Sequence, residues 1–561
     1  MIPMRSLSRE KFLILFIFLI AYLLPLGARA LTVPDETRYA EIPREMIATG
    51  DWMVPHLDGV RYFEKPVMGY WIHAISILIF GENNFAVRFP SALSVGLSAM
   101  LIFLLIGRNG GEDGTRNFGV AGLATLIFLT CFEVFGVGNT AVLDNLFALF
   151  LTAAVAAFYI ATERPPRTAD EKVWLVLAGL AAGLAFLTKG FLAVAVPVLV
   201  LMPYLVWQQR SRDIFRMGWL PLLTTLLVAL PWGVGIGLKE PDFWHFFFWN
   251  EHIRRFLGSN AQHHEPLWYF LMVAPAMFLP WTFLAPAAVR GLKQSTGIKQ
   301  KQQRLIRLCI CWIVLPFLFF SVSKGKLLTY ILPCFPPFAI LLASGLAQAV
   351  RTGKRKSIQW GIGGAIILFA SVLMAFVFLQ IFGGPGIRPF NQSWKALMTI
   401  NALLYTILFG LWALKCRLGI NKLIVFGCSP LFLFFIAHFT IPDPVATSKA
   451  PGQFLERQRS LLENDSVVIA DEESVRAICW YLKRSDVHVF GGTGELDYGL
   501  AYPDAMDRAL SLDALKDMIR RFRGKLVVIA RAENIEHWKN WLPRPVFTDT
   551  NGLDGYSLWK F

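Results

Sequence analysis

Asp35, Glu36 and Glu64 have the setting in this chain that most strongly suggests chemistry. They lie between Leu31 and Gly81, in an otherwise apolar half of the sequence, together with Arg38, Glu41 and Lys65. Ionised side chains are costly at a bilayer and mark function when they are kept there. Pro34, Pro43, Pro55 and Pro66 punctuate the stretch, so it reads as an ordered loop with short helices rather than a span. Elsewhere Asp144 closes the string GNTAVLD, Lys189 stands in LTKG, and Lys324, Lys326 and Tyr330 stand in SKGKLLTYILP. The aromatic-rich segment from Lys239 to Tyr269 adds Glu251, His252, Arg254, Arg255, His263 and His264.

Lys, Arg and a tyrosyl hydroxyl can hold a phosphate through charge-assisted hydrogen bonds. A carboxylate can steer a nucleophile or bind an amine. On this reading Glu36, Lys189, Lys324 and Lys326 are secondary candidates for substrate contact. The competing reading is that all of these are interfacial anchors and salt bridges, the ordinary fate of Lys and Arg at helix ends. That reading is weaker for Asp35 with Glu64 and Lys65, because carboxylates there are the costlier choice. His252, His263 and His264 could join Glu64 or Asp35 around a divalent metal such as zinc. No HxxxH or HExxH spacing accompanies them, and a hydrogen-bonded interfacial histidine is the plainer reading.

The elements that must position these residues are membrane helices. With 55% hydrophobic and 14% aromatic residues in 561, the chain reads as a polytopic α-helical membrane protein. Its net charge of +15 falls in short loops between apolar runs, which fits the positive-inside rule and not nucleic-acid binding. The apolar run from Phe12 to Leu26 ends in Ala28-Arg29-Ala30, which mimics a signal-peptidase site. A first transmembrane helix is the reading preferred to a cleaved signal, because many spans follow. Val67 to Gly81 has about 15 residues where a span needs roughly 20. Laid along the interface, it leaves every basic loop on the cytoplasmic side.

About thirteen spans follow from that choice, near 12–30, 88–107, 118–138, 145–162, 173–188, 191–207, 218–238, 268–289, 307–323, 331–350, 359–382, 395–415 and 423–441. The polar candidates above then collect on the external side. Two domains are expected: 1–442, a transmembrane domain with a first external loop over 31–87 and a lid-like aromatic loop over 239–267, and 443–561, a small α/β domain placed outside by helix parity. In the latter, β-rich runs at Ser466–Ala470, Val487–Phe490 and Lys525–Ala530 alternate with helix-like stretches near 472–483, 511–523 and 532–541. Of seven cysteines only Cys479 lies in that region, so it carries no internal disulfide.

The strings DETRYAEIPREM, RYFEKPVMGYW, GNTAVLD, LTKGFLAVAVPVL, FWHFFFWNEHIRRF, SKGKLLTYILP and TGELDYGLAYPDA together resemble bacterial undecaprenyl phosphate-aminoarabinose:lipid A transferases, relatives of the protein O-mannosyltransferases. The resemblance covers nearly the whole chain. It implies a C-type glycosyltransferase fold and an inner-membrane enzyme that moves 4-amino-4-deoxy-L-arabinose from its undecaprenyl phosphate carrier to lipid A phosphates on the periplasmic face, a modification tied to polymyxin resistance. It further implies Asp35 as the catalytic carboxylate, Asp144 as a supporting acid and Glu64 as a metal or substrate ligand. Lys65, Arg38, Arg255 and Tyr330 resemble the carrier-phosphate clamp, with Arg254 beside Arg255. No cofactor is expected, zinc being the one candidate. An O-mannosyltransferase acting on protein is the alternative. A lipid-linked-sugar flippase would need ionisable residues through both halves of the membrane.

Overall fold

A computed structural model describes residues 9–107, 119–254, 264–293, 300–384, 386–462, 466–552 and 554–561. The side chains of residues 9–10 and 252–254 are outside that description. The chain forms two compact units: Met1–Pro25, Ser91–Val377 and Leu397–Ala437 make the first, and Leu26–Pro90, Phe378–Ala396 and His438–Phe561 the second.

The first unit is helical. Among the described residues nine helices are long and apolar enough to cross a membrane, or eleven if each of two bent pairs is one crossing. The expected count of thirteen also included Lys11–Leu23 and Leu192–Trp207, which are shorter apolar helices. Leu222, Leu226, Leu227 and Leu230 on the Arg212–Lys239 helix, and Ile367 and Met374 on the Arg355–Phe382 helix, stand exposed. Contiguous apolar faces of this kind are stable only against lipid, so the chain is an integral, multi-pass membrane protein. Helices approach closely where residues are small. The helices Ala285–Lys293 and Phe335–Arg351 meet at Gly291 and Gly345, where an added Cβ would overlap backbone of the opposing helix.

Two segments expected as single straight spans are broken. Val120–Leu129 and Phe132–Gly138 meet at 61°, and Tyr269–Met277 and Trp281–Lys293 at 96°. Pro280 interrupts the second pair, having no N–H with which to continue a helix. The two breaks satisfy each other. Phe132 N donates to Leu279 O at 3.0 Å, and Trp281 Nε1 donates to Thr130 Oγ1 at 2.8 Å. Non-helical backbone at membrane depth is tolerated when protein buries it and supplies partners in this way.

The second unit joins pieces far apart in sequence. Its first piece holds the Asp35–Thr49 helix, a hairpin of β1 (His56–Leu57) and β2 (Val60–Arg61), and the Met68–Phe80 helix. The 13 residues of that last helix reach about 20 Å, short of a hydrocarbon core of about 30 Å. Its other main piece is a six-stranded sheet ordered β5-β4-β3-β6-β8-β7. The strands are β3 (Val467–Ala470), β4 (His488–Phe490), β5 (Ala509–Leu510), β6 (Leu526–Arg531), β7 (Phe547–Thr550) and β8 (Tyr556–Lys560). β3 to β6 run parallel, and β8 pairs antiparallel with both β6 and β7, with Val468 opposite Val527 and Ile529 opposite Leu558. Asp471 and Ser511 cap the helices Glu472–Leu482 and Leu512–Arg521 by accepting from Ser474 N and Ala514 N. Ile469, Phe490, Leu515, Ile519, Val528 and Trp538 fill the core. The three strands read from sequence are present, while β5, β7 and β8 were not foreseen.

The first external loop was expected to belong with the transmembrane helices, yet it packs with the C-terminal residues. The Asp35–Thr49 helix lies against Glu472–Leu482, Val33 N donates to Lys449 O at 2.8 Å, and Leu31 N donates to the Tyr481 hydroxyl at 3.1 Å. In the hairpin turn, buried Asp58 pairs with Arg508 at 2.8 Å and accepts from Val487 N at 3.2 Å.

Candidate functional site

Asp35 opens its helix, and Arg38 stands one turn on, so the pair shares a face. Arg38 Nη2 donates to Asp35 Oδ1. Its Nη1 donates to the Tyr62 hydroxyl at 2.9 Å and to Glu495 Oε2 at 2.5 Å. The guanidinium is nearly sealed, with its side chain 8% exposed, while Asp35 is 50% exposed. A buried cation needs such partners, since desolvation costs several kcal/mol per ion. Its effect here is to hold one oxygen of Asp35 and leave the carboxylate accessible.

Glu64 and Lys65 adjoin the pair. Glu64 Oε2 lies 3.9 Å from Arg38 Nη1 and 3.8 Å from Lys65 Nζ, and Lys65 Nζ donates to Glu64 O at 2.9 Å. Glu495 in turn accepts from the Tyr62 hydroxyl at 3.1 Å and from Arg476 at 3.1 Å. Burial alone would raise the Glu495 carboxyl, but the Arg38 and Arg476 guanidinium groups hold it well below the ordinary carboxylate range. Burial pushes the Tyr62 hydroxyl up, so it remains a donor. The chain therefore gathers Asp35, Arg38, Glu64 and Lys65 as its sequence suggested, with Tyr62, Arg476 and Glu495 added. Glu495 lies in the quoted string TGELDYGLAYPDA, but nothing local indicates that it meets an arginine 457 residues away.

Glu36 has a different place. Arg88 donates to its two oxygens at 2.6 and 2.9 Å, Arg29 donates at 2.7 and 3.2 Å, and Thr32 donates through N and Oγ1 at 2.8 and 2.9 Å. Both Glu36 and Arg88 are wholly buried. Burial would raise the Glu36 carboxyl, yet Arg88 and Arg29 hold it below the carboxylate range. The expectation of a substrate contact at Glu36 is corrected: this carboxylate is committed to packing, because every face of it meets a protein donor.

In the first unit, Asp144 opens the Asp144–Thr162 helix and Lys189 closes Ala169–Lys189. Lys189 Nζ donates to Asp144 Oδ1 at 2.7 Å and lies 5.8 Å from the centre of the Tyr330 ring. These three candidates are thus brought together. Lys326 is buried and donates to Glu265 O at 2.6 Å, which ties it to backbone, whereas Lys324 is exposed. Arg255 and His263 lie outside the described residues, as do the side chains of His252 and Arg254. His264 is exposed and its backbone bridges Gly325. Among the described residues no group of three or more His, Cys, Asp or Glu could hold a metal ion. The neighbours of Glu64 are the cations Arg38 and Lys65, which would repel a dication, so the expected zinc site is not supported there.

A profile for dolichyl-phosphate-mannose-protein mannosyltransferase matches residues 8–247, and one for the C-terminal domain of arabinosyl transferase ArnT matches residues 446–557. An undecaprenyl phosphate-alpha-4-amino-4-deoxy-L-arabinose arabinosyl transferase of Shewanella sediminis is 41% identical, with 92% of each chain covered. A protein of the same name from Proteus mirabilis is 37% identical over 98% of each. The chain belongs to this family of arabinosyl transferases. It is thereby a glycosyltransferase. The structure of ArnT from Cupriavidus metallidurans bound to undecaprenyl phosphate superposes with a TM-score of 0.80 at 22% identity, covering 98% of this chain and 97% of that one. The archaeal oligosaccharyltransferase AglB of Archaeoglobus fulgidus follows at 0.52 and 11%, covering 94% and 70%. Both likenesses place the fold in the C-type glycosyltransferase class. In such a family an accessible carboxylate fixed by an arginine, beside a lysine, offers an anionic group to orient a nucleophile or amine and a cation to meet a leaving phosphate.

Proposed function

We propose that this protein transfers 4-amino-4-deoxy-L-arabinose from undecaprenyl phosphate to phosphate groups of lipid A, at the periplasmic face of a bacterial inner membrane. The observation that carries this reading is Asp35, half exposed and held by buried Arg38 beside Lys65, in a chain of this family. The leaving group is a phosphate monoester, so cations that hold it stabilise the charge that grows as the glycosidic bond breaks. Lys65 takes that role, and the resemblance to the family assigns it to Arg255 and Tyr330 as well. Arg38 is assigned to Asp35 instead of to the phosphate, because three protein oxygens already occupy its Nη groups. Asp144 and Lys189 support Tyr330.

The acceptor phosphate is already anionic near neutral pH. Asp35 therefore orients the acceptor or pairs with the sugar's ammonium, and has little need to remove a proton. Attack on the anomeric carbon in one displacement inverts its configuration and leaves undecaprenyl phosphate. The product carries a new ammonium beside lipid A phosphate, which weakens binding of polycationic peptides such as polymyxin by charge compensation. The test is mass spectrometry of lipid A from a strain that makes the carrier-linked sugar, with and without this chain. Aminoarabinose on lipid A only when the chain is present is expected. Unmodified lipid A, or the sugar on protein, would reject the reading in favour of the mannosyltransferase-like alternative.

A further inference from the structure

The loops at the carboxyl ends of the parallel strands of the C-terminal sheet lie where open α/β sheets place their ligands. β3 ends at Ala470 and leads into Asp471 and Glu472, while the adjacent β4 ends at Phe490 and leads into the turn Gly491–Glu495. What occupies that position here is a side chain of the same unit, the Arg38 guanidinium. Glu495 Oε2 meets Arg38 Nη1 at 2.5 Å, and it is the point where Arg38, Tyr62 and Arg476 converge.

The turn that presents Glu495 is itself tightly fixed. Glu495 N donates to Glu472 Oε1 at 3.2 Å, and Arg476 pairs with the same Glu472 oxygen at 2.5 Å. Gly494 has φ +49°, and a Cβ there would strike the Glu472 carboxylate. Gly499 lies against Arg61 O with no room for a side chain. The backbone on both sides of Glu495 is thus pressed into place. Asp35, Tyr62 and Glu495 are the acceptors of the Arg38 Nη groups, and Glu495 is the one that the C-terminal residues supply.

We propose that Glu495 is a positioning residue of the transfer reaction, fixing Arg38 and through it the orientation of Asp35, so that the C-terminal domain completes the site. The inference rests on the function proposed above. Glu495 accepts from Arg38, Tyr62 and Arg476, and Arg38 in turn donates to Asp35, so its loss is expected to act on the alignment of Asp35.

The experiment uses the full-length protein in proteoliposomes with undecaprenyl phosphate-linked aminoarabinose and lipid A, comparing wild type, E495Q, E495D, D35N and the double variant D35N/E495Q. E495Q is expected to lower kcat roughly a hundredfold with donor KM within about threefold, which is the signature of an interaction expressed in the transition state. E495D, which keeps the charge but draws it back by one methylene, is expected to recover to between about three- and tenfold below wild type. The double variant is expected to be no more than about threefold slower than D35N alone, because two residues acting through one pair are not additive. A wild-type kcat in E495Q overturns the proposal. So does an equal loss on adding E495Q to D35N, or a thermal midpoint that falls in step with kcat. If E495Q does not fold, E495D is read instead, and wild-type kcat in it overturns the proposal. Absence of transfer by wild type defeats the functional reading and this inference together, whereas transfer by wild type with no slowing in E495Q defeats this inference alone.

Discussion

Asp35 and Glu36 are neighbours in sequence, open the same helix and each meet arginine, yet they sit in two different kinds of region. Around Asp35 the protein leaves an opening: the carboxylate is half exposed and one guanidinium holds it. Around Glu36 the protein closes: two arginines and Thr32 supply six hydrogen bonds, and no surface is left. Charge beside an apolar domain thus marks either a site or an anchor, and the number of donors turned inward separates them. A carboxylate saturated by protein donors has nothing to give a substrate. One held by a single partner keeps lone pairs for it.

The contrast is broken most severely at the closed region. Replacing Arg88 with Met leaves Glu36 buried with fewer partners, and removing one member of a buried pair costs about 3–5 kcal/mol. The folded yield and the thermal midpoint of the purified protein are expected to fall sharply. Unchanged midpoints would show that Glu36 is not an anchor. The open region should respond in function instead. Lys65→Ala removes a charge-assisted contact of roughly 1.5–3 kcal/mol, so affinity for undecaprenyl phosphate should fall about tenfold or more with the thermal midpoint preserved. Unchanged carrier binding would remove Lys65 from the phosphate.

The smallest expected effect is in pH. The Glu36 carboxyl is held below its ordinary 4.5, so the stability it contributes is present above about pH 4.5 and is lost as pH falls below that value. A one-unit fall below 4.5 costs up to about 1.4 kcal/mol. The thermal midpoint of wild type should decline over that interval, and the fraction of Glu36→Gln that folds should decline less. Parallel declines would place the acid sensitivity elsewhere.

Much of this was legible in the sequence because it depends on local pattern. Apolar length located the helices, alternating short runs located β3, β4 and β6, and the cost of charge located Asp35, Glu64 and Lys65. What escaped depends on distant partners. The anchoring of Glu36 needs Arg88, 52 residues on, and the pairing of Arg38 needs Glu495. The broken helices escaped because hydropathy averages over a bend, and only the exchange between Phe132 and Leu279 shows how the break is tolerated. The grouping of the first loop with the C-terminal domain escaped because its contacts run through Asp58, Arg508 and Tyr481, none of which carries a motif.

If Asp35 serves the transfer by orientation and charge while its neighbour holds the fold, the decisive quantity is the turnover of Asp35→Asn in purified protein, measured with the aminoarabinose donor and with a donor sugar lacking the amine. The amide keeps the shape and loses the charge, so folding should be unaltered and kcat should fall only in part, about ten- to a thousandfold, and less with the donor lacking the amine. A loss beyond about a thousandfold with either donor, with binding retained, would make Asp35 a general base instead.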